Sequence, residues 1–256
     1  MRARGNFLVE SLAGLVLAFL LWEAGVRLFR VPPFILPAPS DVIVEAVSTA
    51  NILAHHTLVT LVGTCISLVI GAALGMLVGL IIGYSQTLSR LFYPLLGGFH
   101  ALPMSAFIPI FVVWFGIGVV PKIVAGILIA FFPVVVNVVT GLRTIEPDLW
   151  DMLKTLGATK RQIFLKVGIP RTLPYFFGSL KVAITLAFVG AVISESVASN
   201  VGIGNLMLQA QAQFQVPLIF AGLLALAVEG IVMYALMAML EARMTGWAQR
   251  SGFAQG

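Results

Sequence analysis

The run TLVTLVGTCISLVIGAALGMLVGLIIG, residues 57–83, carries no charged residue and no proline. A helix needs about 20 mainly apolar residues to cross roughly 30 Å of hydrocarbon, so this stretch alone predicts a membrane span. Its apolar character is continuous rather than alternating, which favours a helix over a barrel strand. Gly71, Gly75, Gly79 and Gly83 recur every four residues within it. That spacing lays a smooth strip along one helix face and predicts close approach by another helix, inside the chain or from a second copy.

Comparable runs flank it on both sides. Hydropathy, charges and breakers predict spans at about 7–29, 91–118 (broken by Pro103 and Pro109), 121–142 (with Pro133 inside), 172–198 and 217–240. The expected fold class is therefore all-α: a polytopic membrane protein with about six transmembrane helices. Residues 1–56 form a first helix and an outer loop, and residues 57–256 the core domain. The basic start and apolar run at the N-terminus resemble a signal peptide. The run is too long and lacks a small-residue cleavage site, so we read it as a retained span. The whole composition agrees: 60% of residues are hydrophobic and 10% charged, against about 25% charged in soluble domains, and the mean hydropathy is +1.06.

The net charge of +5 points to orientation rather than to nucleic acid. With the N-terminus inside, Arg2, Arg4, Arg90, Arg143, Lys154, Lys160, Arg161, Lys166, Arg171, Arg243 and Arg250 are cytoplasmic. Only Arg27, Arg30 and Lys122 fall outside, and Lys181 lies within a span. The positive-inside rule then places both termini in the cytoplasm. The segment 31–56 becomes an outer loop whose prolines interrupt helix. Ser40 or Asp41 is expected to cap a short amphipathic helix there.

The polar stretch RTIEPDLWDMLKTLGATKRQIFLKVGIPR, residues 143–171, is too polar to span and too long for a tight connector. Pro147 suits a first helical turn, and Asp148 and Asp151 suit a helix N-terminus. Leu149, Met152, Leu153 and Leu156 recur at helical spacing, and Gly157 ends that helix. A second helical stretch over about 160–167 sets Phe164 beside basic residues. Two short helices joined at a glycine, held at the cytoplasmic surface, suit docking into a partner's groove. Leu153, Leu156 and Ala158 are expected to be exposed in the isolated chain.

This stretch resembles the cytoplasmic coupling loop of ABC importer permeases, which reads Glu-Ala-Ala, three residues, Gly, nine residues, Ile, one residue, Leu-Pro. Gly157 and Pro170 match at the family spacing, and Val167 and Ile169 are conservative matches. Asp151 stands for the Glu, while Met152 and Leu153 replace the two alanines. FILPAPSDV, LFYPLLGGFHALPMSAFIPIFVVWFGIG and ISESVASNVGIGNLM likewise resemble the permeases for nitrate, taurine, sulfonates and thiamine-precursor pyrimidines. The resemblance implies a type I importer permease in the bacterial inner membrane, paired with a second, identical permease subunit. It also implies a cytoplasmic ATPase gripping the coupling loop, with ATP and Mg held by that ATPase, and an extracytoplasmic binding protein. Asp151, Leu153, Leu156, Gly157, Ala158, Phe164, Val167, Ile169 and Pro170 would form the coupling contact. A substrate among small anions or small heteroaromatic precursors is expected.

Catalytic motifs are missing. No G-x-x-x-x-G-K-[ST] occurs, so no phosphate-cradling loop is present. Gly202-Ile203-Gly204 has neither a preceding strand nor a third glycine and reads as a turn. His55 and His56 are adjacent, which points their rings apart on a helix, and no metal site is expected. Ser194, Glu195 and Ser196 lack a neighbouring His; Glu195 reads as a helix-end cap or a gate. Met104, Ser105, Lys181, Ser194, Glu195 and Glu229 are the candidate pathway or gate residues. From span ends at Thr172 and Leu240, Lys181 and Glu229 lie at similar depths of roughly 14 and 17 Å, and they are expected to approach each other or to line the same polar interior surface. An ion-gradient carrier is the rival reading; it would show inverted repeats and clustered mid-membrane carboxylates, of which only Glu229 is near a span centre.

Overall fold

The computed structural model describes the backbone of residues 2–100 and 104–250. Among them the regular structure is all helical: α1 (Arg2–Leu28), α2 (Pro39–Ser48), α3 (Ala50–Tyr84), α4 (Gln86–His100), α5 (Ile108–Phe115), α6 (Val119–Arg143), α7 (Pro147–Thr155), α8 (Lys160–Ile163), α9 (Ile169–Ala198), α10 (Ile203–Ala212) and α11 (Val216–Arg250). Four stretches among the described residues are long and apolar enough to span a bilayer: Ala50–Tyr84, Val119–Arg143, Lys160–Ala198 and Val216–Gly246. The third expected span is split into α4 and α5 with a 3₁₀ turn, Met104–Phe107, between them. Pro109 lies in the first turn of α5, where its missing N–H costs nothing. Pro103 and the side chains of Met104 and Ser105 lie outside the described residues.

The core is the contact of α3 with α6, and its register is constant. Along one face of α3, six small residues spaced by four each face the α6 residue 59 positions later: Gly63 faces Lys122, Ser67 faces Gly126, Gly71 faces Ala130, Gly75 faces Val134, Gly79 faces Val138 and Gly83 faces Leu142. Both numberings rise together, so the two helices run parallel. The glycine strip is thus spent inside the subunit, where the Ala130-Val134-Val138-Leu142 ridge fills it. A Cβ on Gly75 would lie 2.8 Å from Val134 Cβ, and one on Gly79 would lie 2.7 Å from Val138 Cγ1. Val134, Val138, Ala183, Ile184 and Ala187 are buried together where α9 closes over this pair.

Gly79→Leu is accordingly expected to force α3 and α6 apart and cost about 1–3 kcal/mol or more, the range for overpacked cores. Detergent thermal denaturation would measure it; an unchanged midpoint would mean that the strip is not packed.

Three boundaries differ from the sequence reading, for local reasons. Helix α2 starts at Pro39 without a side-chain cap, so Ser40 and Asp41 are already inside the first turn. The free Ser40 N–H instead donates to Glu23 of α1 (3.0 Å), while Arg27 reaches Ser40 and Asp41 (both 2.9 Å). Helix α9 begins at Ile169, running on from a π turn at Phe164–Gly168, and α11 continues to Arg250. The later end of α11 shifts every depth estimate built on it.

Candidate functional site

Two assemblies stand at opposite ends of the bundle. The first is the α7–α8 unit that follows α6. Pro147 and Asp148 open α7, the N–H of Gly157 donates to Lys154 O (2.9 Å) and that of Ala158 to Leu153 O (3.0 Å). This pair of bonds is a Schellman ending with glycine in the left-handed position; Gly157 has φ +83. Two residues later Thr159 and Gln162 form a reciprocal capping box that starts α8. The chain therefore turns between the capped end of α7 and the capped start of α8.

Its underside is anchored. Phe164 meets Tyr84 of α3 edge to face at 4.9 Å, and the Lys160 ammonium sits 4.6 Å from the same Tyr84 ring, a cation–π contact. Arg171 donates to Glu146 at 3.0 Å, and Ile163 is buried. On the outer side Asp151, Met152 and Gly157 are exposed, and Leu156 is 75% exposed. Leu153 and Ala158 are half-buried rather than exposed, because the Schellman bond folds Ala158 back over Leu153. Phe164, Val167 and Ile169 are also half-buried, and Pro170 is exposed at the start of α9.

The second assembly lies where α6 begins and α9 ends. Lys122 and Glu195 pair at 2.9 Å, and both side chains are 0% exposed. A buried pair is tolerable only when further hydrogen bonds support it, and both partners have them here. Glu195 lies 2.9 Å from the Thr60 hydroxyl and accepts from the Gly204 N–H (3.1 Å). Lys122 also donates to Val59 O at 3.1 Å. Thr60 in turn accepts from the Ile203 N–H (3.1 Å), and His56 Nδ1 lies 3.0 Å from the Gly202 nitrogen. Four helices, α3, α6, α9 and α10, thus meet at one carboxylate.

Glycines make the room. A Cβ on Gly63 would lie 2.6 Å from Lys122 Cε, so the lysine stem runs through the gap that Gly63 leaves. A Cβ on Gly202 (φ +111) would fall on the Glu195 carboxyl group, and one on Gly204 would meet the Val192 carbonyl. The G-I-G motif, read as a turn, instead opens a helix: Gly202 is the residue before α10 and Ile203 and Gly204 begin it, and its glycines let that helix start close over Glu195. The adjacent rings of His55 and His56 do not point apart; they meet edge to face with centroids 5.6 Å apart, because His56 turns toward Gly202.

The expected Lys181–Glu229 pair is absent. Lys181 pairs with Glu241, since α11 extends ten residues past Leu240 and brings Glu241, not Glu229, to the depth of Lys181. Glu229 is buried with no hydrogen-bond partner for either oxygen among the described residues. Ser194 is buried and likewise unpartnered, whereas Ser196 donates within 3.2 Å of Val192 O and Gly204 O. A Lys181→Glu/Glu241→Lys exchange is expected to restore most of what either single change loses. The pair is partly exposed, so each loss stays within about 1 kcal/mol; thermal denaturation of the three variants checks it.

Missing from the sequence reading was Lys122, placed outside the membrane by charge counting. One signal was available: Lys122 is three residues from the start of α6 and Glu195 three from the end of α9, so on oppositely running helices their depths coincide.

Residues 71–246 match the family model described as the binding-protein-dependent transport system inner membrane component. The chain belongs to this family of ABC permeases. A formylaminopyrimidine transport permease protein of Halalkalibacterium halodurans is 32% identical over 92% of this chain and 94% of its own length. A riboflavin transport system permease protein of Chloroflexus aurantiacus is 36% identical over 91% and 88%. The inward-facing MetNI methionine ABC transporter shares the membrane fold, with a TM-score of 0.66 at 20% identity over 77% of this chain and 98% of the solved one. The permease is the non-catalytic, multi-pass inner-membrane subunit of an ABC importer, and a partner ATPase handles ATP. The ion-gradient carrier reading falls with that membership.

Proposed function

We propose that the α7–α8 unit is the coupling element through which the ATPase moves the spanning helices, and that two copies of this chain enclose one pathway. The supporting observation is the turn at Gly157: a doubly capped helical pair with Leu156 projecting from it. Because the unit continues through the π turn into α9 and hangs from α6, a push on α7 is transmitted to both helices as levers. Asp151, Leu153, Leu156, Gly157 and Ala158 face the ATPase, while Phe164, Val167, Ile169 and Pro170 carry the motion into α9. Both termini lie on the ATPase side, and residues 1–56 form a first helix and outer connector around the core. An extracytoplasmic binding protein delivers substrate to the opposite side.

The Lys122–Glu195 cluster ties the helices together at that opposite side and serves as the fixed hub of the motion. Both relatives above carry the names of nitrogen heterocycles, which supports a small heteroaromatic substrate over nitrate, taurine or a sulfonate.

Leu156→Asp tests the coupling assignment. It should weaken capture of the co-expressed ATPase roughly tenfold or more, the scale of a lost hot-spot residue. Gly157→Leu should instead keep the complex but break the link between ATP hydrolysis and uptake. No neighbour lies within 4 Å of a Cβ there, so the chain itself bears only a backbone cost of about 1–2 kcal/mol. Normal capture by the first variant together with normal uptake by the second would refute the assignment.

A further inference from the structure

Helix α3 lies far from the α7–α8 unit in sequence, yet the two meet at its last residue. Tyr84 ends α3, and its ring takes Phe164 edge to face at 4.9 Å and the Lys160 ammonium at 4.6 Å. Lys160 opens α8, and Phe164 opens the π turn, a form frequent at functional sites. One ring thus touches both segments that lie between Gly157 and α9.

The joint behind the ring is close-packed. Leu142, near the end of α6, fills the place a Cβ on Gly83 would take, and its Cδ2 would lie 3.3 Å from a Cβ on Gly168. That Cβ would also lie 3.5 Å from the Phe164 ring. Glycines on α3 and on the π turn bring both backbones against one leucine, which seats Phe164 within reach of Tyr84.

The seating of α3 does not need this contact. Its glycine strip already holds it on α6, and Tyr84 is 41% exposed, so the ring gains little from burial. What the contact adds is a link from α3 to the unit. The chain joins the unit to the bundle at two points, the link from α6 and the run into α9. A body held at two points still rocks about the line between them, and Tyr84 is a third point.

Helix α3 is suited to carry a displacement. It has no proline from Ala50 to Tyr84, whereas α6 contains Pro133 and α9 Pro174, and prolines are where helices kink. Thr60, which binds Glu195 in the buried cluster, is 24 residues before Tyr84, about 36 Å along the helix at 1.5 Å per residue. The helix is an uninterrupted rod with the buried cluster near one end and the unit at the other.

We propose that Tyr84 is a positioning residue for coupling: its ring locks the α7–α8 unit onto α3, so that a push on α7 swings α3 about its anchored end at Thr60 instead of rocking the unit. The proposal rests on the coupling reading above and adds a third lever to α6 and α9.

The test uses the full chain carrying Cys65→Ser, co-purified with its ATPase, placed in phosphatidylcholine nanodiscs and diluted with unlabelled chain. Nitroxides are set at Ile81 of α3 and Met239 of α11, or at Arg161 of α8 and Met239, all exposed positions. Pulsed EPR then reads the two distances. ATP with vanadate should shift both in the parent. Tyr84→Leu should lose the Ile81 shift and keep the Arg161 shift, and Phe164→Leu, which removes the opposing ring, should do the same. Tyr84→Phe keeps the ring and should keep both shifts. An Ile81 shift that survives both leucine substitutions would overturn the proposal. So would loss of both shifts, loss of either shift in Tyr84→Phe, or loss of ATPase capture by both leucine substitutions, which would make the ring a support for the shape of the unit. A still Ile81 label beside a moving Arg161 label in the parent refutes the third lever alone; if neither label moves, the coupling reading fails with it.

Discussion

Glu195→Gln is expected to destabilise the helix bundle by about 3–5 kcal/mol, the cost of breaking a fully buried ion pair from one side. Among the described residues the substitution leaves the Lys122 ammonium with one acceptor at hydrogen-bond distance besides the new amide, the Val59 carbonyl, in a site with no exposed surface. Lys122→Met should cost less. It removes the charge that demands solvation, and Glu195 keeps its contacts with Thr60 and Gly204. The asymmetry is the first readout. The second is the double change Lys122→Met/Glu195→Gln, in which the amide oxygen still accepts from Thr60 and the Gly204 N–H while no charge remains. Replacing both members of a buried pair is often neutral, so the double variant should be more stable than Glu195→Gln alone. A double-mutant cycle on thermal midpoints in detergent, with ATPase capture as the check on folding, gives the coupling. Simple additivity would mean that the two charges do not depend on each other.

How much of this was legible depends on the range of the interaction. The spans were, because twenty apolar residues in a row have one physical solution in lipid. The glycine strip was also legible, since helical periodicity is local. Had the strip been followed upstream at the same spacing, it would have passed through Ser67 to Gly63, the gap that admits Lys122. The helix ending at Gly157 was legible for the same reason, yet the capping box at Thr159 and Gln162 went unread although its spacing is also local. What failed were pairings between helices far apart in sequence. The Lys181–Glu229 expectation rested on a helix end at Leu240, where hydropathy fades, but α11 runs on to Arg250 through a polar turn that lies beyond the apolar stretch. Hydropathy marks where hydrocarbon ends, not where the helix ends. Lys122 was lost to a different error: counting every basic residue near a span end as solvated, when a lysine opposite a carboxylate at equal depth is better paired.

The Gly202 turn gives the sharpest steric test. Gly202→Ala adds one methyl group, and its expected effect rivals that of Glu195→Gln. Two costs combine. The backbone at φ +111, ψ 161 is a conformation essentially restricted to glycine, worth about 1–3 kcal/mol to any other residue. The new Cβ would also occupy the place of the Glu195 carboxyl group, so the carboxylate must leave its bonds to Lys122, Thr60 and Gly204, or the turn must lift away from His56. Gly116 separates the two costs. Its backbone, φ 77 and ψ 179, is in a similar glycine-favoured region, but a Cβ there meets nothing within 4 Å. Gly116→Ala therefore reports the backbone cost alone, and the excess of Gly202→Ala over it reports the collision with Glu195. That excess should vanish in a Lys122→Met/Glu195→Ala background, where the carboxyl group is gone and the methyl group has space. Thermal midpoints of the matched alanine variants, measured in both backgrounds, decide it. If the excess persists after the carboxyl group is removed, the turn is held by something other than Glu195.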